Sequence, residues 1–466
     1  MREVARGRVL GPYPVTLFGI LLTAVAAVAL LTKGKRGLII TALASSVFID
    51  TAAFVVAGVG ITGFHYVAAL AILAYLPHLK PHFRIPTIAI FIFLYAIFIT
   101  IAGPTLWSGT VVVAGESTGS AVREAPIAYS TSAIGQLTYL AISLAFIGIV
   151  AWHHLNLRAT LRFTIALGIT LSLAALVLVP AGLWPSDFFD NSPSNFYATY
   201  AEGKRARSFF SEPSHLGVFA ALSVVYYGFR AVGVGHRIAP WEVPLAIASI
   251  LLFYFSMSGT AVSGLLLLGL FAVLRLVFRV LRGNIGHLPS SRTVIIGLTL
   301  TAASPWWAPS LAQGISSIAI AKQAGRSLEV RAGEDLVALH AFFESYGLGV
   351  GLGNTRASSL LVLILASLGL FGLVALSYTL FQILKGRLSP EAQNPEAWAL
   401  VTYISSALVS MAILSSPLLW ALIATVVVGR PKPGKSDSLG GQPSKRSALP
   451  DSSRPSPARP AAPMPQ

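Results

Sequence analysis

Cysteine is absent from all 466 residues. That removes disulfides and thiolate metal sites, and it leaves no cysteine usage from which to read a redox compartment. Charge is nearly as scarce. Only 11% of residues are charged, where a soluble globular domain carries about 25%. A soluble fold of this length would lack the polar groups to cover its surface. Also missing are runs of alternating apolar and polar residues, which argues against a membrane β-barrel. No Walker loop, zinc motif or Ser/His/Asp arrangement in recognisable context occurs, and no repeat or echo between the two halves is evident.

What is present is hydrophobic sequence. Apolar residues make up 55% of the chain, and the mean hydropathy is +0.74. Apolar runs of about 18–25 residues recur, the length that crosses a bilayer as helix. The expected spans are 15–32, 38–60, 64–79, 86–103, 134–151, 163–183, 214–229, 243–257, 261–281, 293–310, 358–384, 397–414 and 415–428. The expected fold class is therefore an all-α polytopic membrane protein with twelve to thirteen transmembrane helices, formed by residues 1–430. The first run lacks a small-x-small cleavage site and reads as a transmembrane helix, not a signal peptide.

The net charge of +16 calls for no nucleic-acid partner, because its placement follows the positive-inside pattern. Lys33/Lys35/Arg36, Lys80/Arg84, Arg158/Arg162, Arg230/Arg237, Arg279/Arg282/Arg292 and Lys385/Arg387 occupy alternate connections, which are read as cytoplasmic. That parity places the N-terminus outside despite Arg2, Arg6 and Arg8, unless the first span is wrong or the count is twelve. Residues 431–466 are rich in Pro, Ser, Gly and basic side chains. They read as a disordered basic cytoplasmic tail, one that anionic lipid would attract.

Three connections on the opposite side are long: 104–133, 184–213 and 305–357. Long loops over a helical bundle usually carry function. The second contains Lys204, Arg205 and Arg207, then opens a helix with Glu212-Pro-Ser-His215. Proline suits a first helical turn, and unpaired amides there attract anions. The bland reading is cations meeting lipid headgroups or pairing with Glu202 and Glu212.

The third loop contains Arg326, Arg331, Glu334 and Asp335, then a short helical stretch with His340 and Glu344, expected to lie at the membrane interface. Arg331/Asp335 and His340/Glu344 have i,i+4 spacing, the bland reading being two surface pairs worth roughly 0.3–0.5 kcal/mol each. Glycines at 347, 349, 351 and 353 follow. With no preceding strand they are not a dinucleotide fingerprint, and they read as a tight backbone turn against neighbouring helices. Asp50, inside an expected span, is a functional suspect by default, with no partner apparent in the sequence. The adjacent His153 and His154 point in different directions on a helix and do not suit a metal.

Three elements together resemble the O-antigen polymerase and O-antigen ligase superfamily, the Wzy-like and WaaL-like membrane glycan polymerases and ligases. They are Arg205-x-x-Ser-Phe-Phe-Ser-Glu-Pro-Ser-His-Leu-Gly; Arg331 followed by a short helix and Gly-Leu-Gly-Val-Gly-Leu-Gly-Asn; and the next span, with Leu368-Gly-Leu-Phe-Gly372. The resemblance covers roughly 200–385. Ser208 stands where that family commonly has Gly, Tyr346 where Pro is usual, and a Trp often found after the second Arg is missing.

The resemblance implies an inverting, metal-independent glycosyltransferase on the outer face of the cytoplasmic membrane. Its donor would be a polyprenyl-diphosphate-linked glycan, and no cofactor would be needed. It would polymerise repeat units of an O-antigen, capsular or exopolysaccharide, or, as a ligase, pass the glycan to another acceptor. Other polysaccharide assembly proteins are implied as partners. The same resemblance assigns Arg205 and Arg331 to the diphosphate, with Arg207 and Arg326 in reserve. It leaves Glu212, His215, His340 or Glu344 as the base. The competing class is a transporter or flippase for lipid-linked glycans, which would place its charges and broken helices near the midplane.

Overall fold

The computed structural model describes residues 15–78, 87–114, 122–193, 197–198, 205–232, 239–282, 313, 327–388 and 394–429. The expected span 293–310, Lys204, Arg326 and the tail 431–466 lie outside these residues.

The described chain is mainly helical. The helices are α1 (Leu17–Lys33), α2 (Lys35–Ser45), α3 (Gly63–Tyr75), α4 (Thr87–Leu106), α5 (Thr131–Trp152), α6 (Arg158–Leu178), the one-turn α7 (Ser186–Phe189), α8 (Pro213–Val232), α9 (Glu242–Ser256), α10 (Gly259–Leu281), α11 (Ser327–Glu344), α12 (Leu360–Leu384), α13 (Pro395–Val409) and α14 (Pro417–Val428). Among the described residues, five helices are long and apolar enough to cross a membrane: α4, α5, α6, α10 and α12. They leave large apolar side chains uncovered. On α10 alone Leu266, Leu270, Val273, Leu276 and Phe278 are exposed. A soluble monomer rarely tolerates so continuous an apolar face.

The expected span 38–60 is not one helix. Helix α2 stops at Ser45, where the hydroxyls of Ser45 and Ser46 bond back to the Ala42 and Leu43 carbonyls and compete with the helical ladder. The chain then forms an antiparallel hairpin, β1 (Ala52–Val56) and β2 (Val59–Thr62). Its two-residue turn is Ala57-Gly58, both with positive φ, the twist that suits a tight hairpin. Val55, Val56 and Val59 of that expected span are here strand residues, a role their branched side chains suit. A second hairpin, β3 (Val111–Val113) with β4 (Glu124–Pro126), lies in the first long connection. Two short hairpins thus occur where the sequence pattern showed no strands.

The connections segregate between the two ends of the bundle. At one end Lys35 Nζ lies 2.7 Å from His78, and the Tyr75 ring lies 4.6 Å from His153. Buried Glu242 holds Arg162 at 3.2 Å and Arg230 at 2.9 Å. Arg158 approaches Glu396, and Arg387 donates to the Val427 carbonyl. The basic connections described, which the charge pattern grouped together, therefore meet in space. At the other end lie the hairpin β1–β2, α7, the start of α8 and the start of α12.

Helix α12 is broken at Gly369 (φ 65, ψ −168). The Gly347–Gly353 loop fills the break. Val350 N donates to the Ala366 carbonyl at 2.7 Å, Gly351 N to that of Ser367 at 2.9 Å, and Leu370 N to that of Gly347 at 2.9 Å. A Cβ at Gly349, where φ is +88, would sit 2.6 Å from Gly369 N. The glycine run is thus a close approach of backbone to backbone.

Candidate functional site

The site is assembled around the entry to α8, a helix whose residues Leu216 to Leu222 are almost completely buried. Pro213 occupies its first position, where its missing N–H costs nothing. The preceding loop is held down by aromatic packing. The Phe209 ring lies 5.5 Å from Phe48 and 5.9 Å from Phe189, and Phe189 stacks on Trp184 at 4.8 Å. The Phe-Phe of the loop and the Trp and Phe-Phe around α7 are therefore anchors. They fix the loop backbone, so the polar groups between them are held in place.

Ser208, where the resembled family carries glycine, has φ 58, the left-handed backbone glycine adopts without penalty. Tyr346, where proline is usual in that family, also has positive φ, 53, which proline cannot adopt.

Arg207 is buried, and both its terminal nitrogens face Asp190. Nη1 is 3.0 Å from Oδ1 and 2.8 Å from the Phe210 carbonyl, and Nη2 pairs with Oδ2. This fork ties the loop to the end of α7. The pairing leaves Arg207 as a buried strut, while Arg205 is exposed. Its Nε donates to the Ser256 carbonyl at 3.2 Å, and Ala206 N donates to Phe255 O at 3.0 Å, so α9 supports it.

Arg331 reaches the same place from α11. Its Nη2 lies 3.5 Å from Glu212 Oε2, with 29% and 39% of the two side chains exposed. The expected pairing of Arg331 with Asp335 does not form. Asp335 instead accepts from the Ser358 and Ser359 amides at 2.7 and 3.2 Å and from the Ser358 hydroxyl at 2.8 Å. Charge-assisted bonds to amides at a helix start outweigh a surface ion pair. They also staple α11 to α12 and leave Arg331 to turn toward α8. Burial and then the neighbouring Arg331 hold the Arg205 guanidinium below its ordinary pKa, while Glu212 works the other way. Glu212 is thus paired with Arg331 and acts on Arg205 only through its charge, and its Oε2 also accepts from the Ser214 hydroxyl at 2.7 Å.

His215, in the first turn of α8, presents Nδ1 to Asp50 Oδ2 at 2.9 Å and to the Ser211 hydroxyl at 3.1 Å. Asp50 Oδ2 also accepts the Ser211 amide at 2.8 Å. Burial presses the Asp50 carboxyl upward, but the imidazole beside it and the bonds from His215 and Ser211 press it down, and the net direction is down. The sequence offered no partner for Asp50. Its partner is 165 residues away, and only the hairpin that replaces the expected span brings it there.

His340 stands apart. It is nine residues along α11 from Arg331, about 13.5 Å of helical rise and half a turn out of phase. It pairs with Glu344 at 3.3 Å, as the spacing indicated, and 68% of its side chain is exposed. The structure therefore brings Arg205, Arg331, Glu212 and His215 together, places Arg207 just behind them, and leaves His340 on another face. An apolar groove of about 400 Å³ lies elsewhere, between α1 and α2, lined by Ala24, Val28, Thr32 and Gly37 among others. With no polar group but Thr32 and Lys33 along it, it offers no chemistry.

No protein-family model matches this chain, and no curated protein matches it. The functional reading therefore rests on the residues and their arrangement.

Proposed function

We propose that this chain is a polytopic glycosyltransferase of the cytoplasmic membrane that joins glycan units carried on polyprenyl diphosphate. In this reading the Arg205–Arg331 end faces outward and the basic end faces the cytoplasm. One observation carries the proposal: Arg331 arrives from α11 beside Arg205 and Glu212 at the start of α8. Cations are disfavoured on the outer side of a membrane protein, so two of them near a single carboxylate, with positive charge left over, suit an anionic ligand.

A lipid diphosphate suits that place. Its negative charge grows as the glycosidic bond to the sugar breaks, and fixed guanidinium groups in a partly dry site stabilise that growth. Exposed apolar faces on the spanning helices would leave the lipid tail in the bilayer beside the site. A transport reading would leave the polar groups of the α12 break for a substrate, whereas here loop backbone occupies them.

Deleting the gene from its source cells tests the proposal. Accumulation of single lipid-linked repeat units is the expected result for a polymerase. Polymer retained on the lipid carrier would instead indicate the ligase form of the same chemistry. Unchanged lipid-linked glycans and unchanged surface polysaccharide would refute both.

A further inference from the structure

The diphosphate reading gives work to Arg205 and Arg331 but none to the pair buried behind them. Asp50 is 4% exposed and lies in the turn between α2 and β1. Its Oδ2 meets both His215 Nδ1, at 2.9 Å, and the Ser211 amide, at 2.8 Å. The turn carrying Asp50 is itself fixed. Tyr197 donates to the Asp50 carbonyl at 2.6 Å, and Asn191 bridges the Ala52 amide and carbonyl at 2.8 and 3.0 Å.

A buried carboxylate needs partners, and a backbone amide supplies one. The imidazole is different, because it is not sealed in: 11% of the His215 side chain remains exposed. Both bonds to it are at Nδ1. In the neutral ring, a carboxylate facing Nδ1 places the proton there and leaves Nε2 as the acceptor. Burial presses the His215 pKa down, but Asp50 outweighs it and the net direction is up, so Nε2 is a stronger base than a free imidazole. The charged groups that face this ring are Asp50 from the α2–β1 turn, Glu212 from its own helix entry and Arg331 from α11.

We propose that Asp50 is a positioning residue that holds His215 through Nδ1 so that Nε2 removes the proton from the acceptor hydroxyl. The inference rests on the glycosyl-transfer reading of this site. The acceptor O–H bond breaks and its proton goes to Nε2. The oxygen's electron pair forms the new bond to the anomeric carbon of the donor. The bond from that carbon to the diphosphate oxygen breaks, and its electron pair leaves with the diphosphate, where Arg205 and Arg331 meet the charge. The proton then passes from His215 to water, which restores the base. Glu212, already shared between Ser214 and Arg331, holds the cations and takes no proton.

The test uses the full chain in lipid nanodiscs. Lipid-linked glycan extracted from cells lacking the gene serves as donor and acceptor, and inorganic diphosphate serves as a separate binding probe. His215→Ala is expected to lower kcat by about 10²–10⁴-fold, the usual contribution of a proton-transferring group. Asp50→Asn should lower kcat at least about tenfold, since losing the orienting carboxylate leaves the ring free to adopt the wrong tautomer. In both variants KM and diphosphate binding should stay near wild type, and added imidazole should restore turnover to His215→Ala but not to Arg331→Ala.

Unchanged kcat in Asp50→Asn overturns the inference. So does a kcat loss that tracks an equal loss of diphosphate binding, which would mark a structural role. If Asp50→Asn does not accumulate, imidazole decides: no rescue of His215→Ala rejects the assignment. The diphosphate reading fails separately, if Arg205→Ala and Arg331→Ala keep both diphosphate binding and turnover.

Discussion

Replacing Arg331 by alanine separates a catalytic cation from a structural one, because the two roles predict effects of different size. As structure, the side chain contributes one ion pair to Glu212 at 3.5 Å, with both partners partly exposed at 29% and 39%. Such pairs are worth about 0–1 kcal/mol, and Asp335 would still staple α11 to α12 through Ser358 and Ser359. Protein level and thermal stability should hardly move. As a donor to the leaving diphosphate, the same side chain contributes only as charge develops. Losing such a donor costs about 2.7–4 kcal/mol, or roughly 10²–10³ in rate. Arg331→Lys should recover part of that, since lysine supplies charge but not a planar two-pronged fork.

The assay is polymer output per unit of membrane-inserted protein, with Lys33→Ala as a control at the opposite end. Arg205→Ala should match Arg331→Ala, and the double variant should be little worse than either, because two groups gripping one anion act as a unit. Normal output from either single variant refutes the reasoning, as does an equal loss in the Lys33 control.

Other perturbations reach other parts of the fold. Gly349→Ala forces a side chain into a left-handed position against the broken α12, and should reduce folded protein in membranes, measured by protease resistance. Glu242→Ala strands Arg162 and Arg230 at the basic end and should destabilise by about 3 kcal/mol, the low end for breaking a buried pair because Arg162 is partly exposed; thermal unfolding in detergent measures it. Asp50 titrates lower in the folded chain than in the unfolded one. Its contribution to stability is therefore full above the unfolded pKa and is lost as pH falls through the folded value, so Asp50→Asn should flatten the acid limb of the stability curve. A cysteine placed after Arg430 should resist membrane-impermeant labelling in intact cells, and ready labelling from outside would overturn the proposed orientation.

Hydrophobic content and the placement of lysine and arginine determined much of this protein by themselves. A chain so poor in charge leaves apolar helices uncovered, and the described basic connections, grouped by composition, lie near one another. The turn role of the Gly347–Gly353 run was also legible, since only glycine lets backbones meet at that distance. The tertiary structure decided which polar groups meet. The valine-rich run after Ser45 supports strand as well as helix, and only packing against Asn191 and the aromatic cluster turned it into a hairpin. That hairpin put Asp50 on His215. Arg331 and Asp335 looked like partners at i,i+4, but the amides opening α12 attract a carboxylate more strongly than an exposed arginine does. Arg207 and Arg205 are two residues apart and chemically alike. Asp190, at the end of α7, took one of them into the interior and left the other exposed ahead of α8.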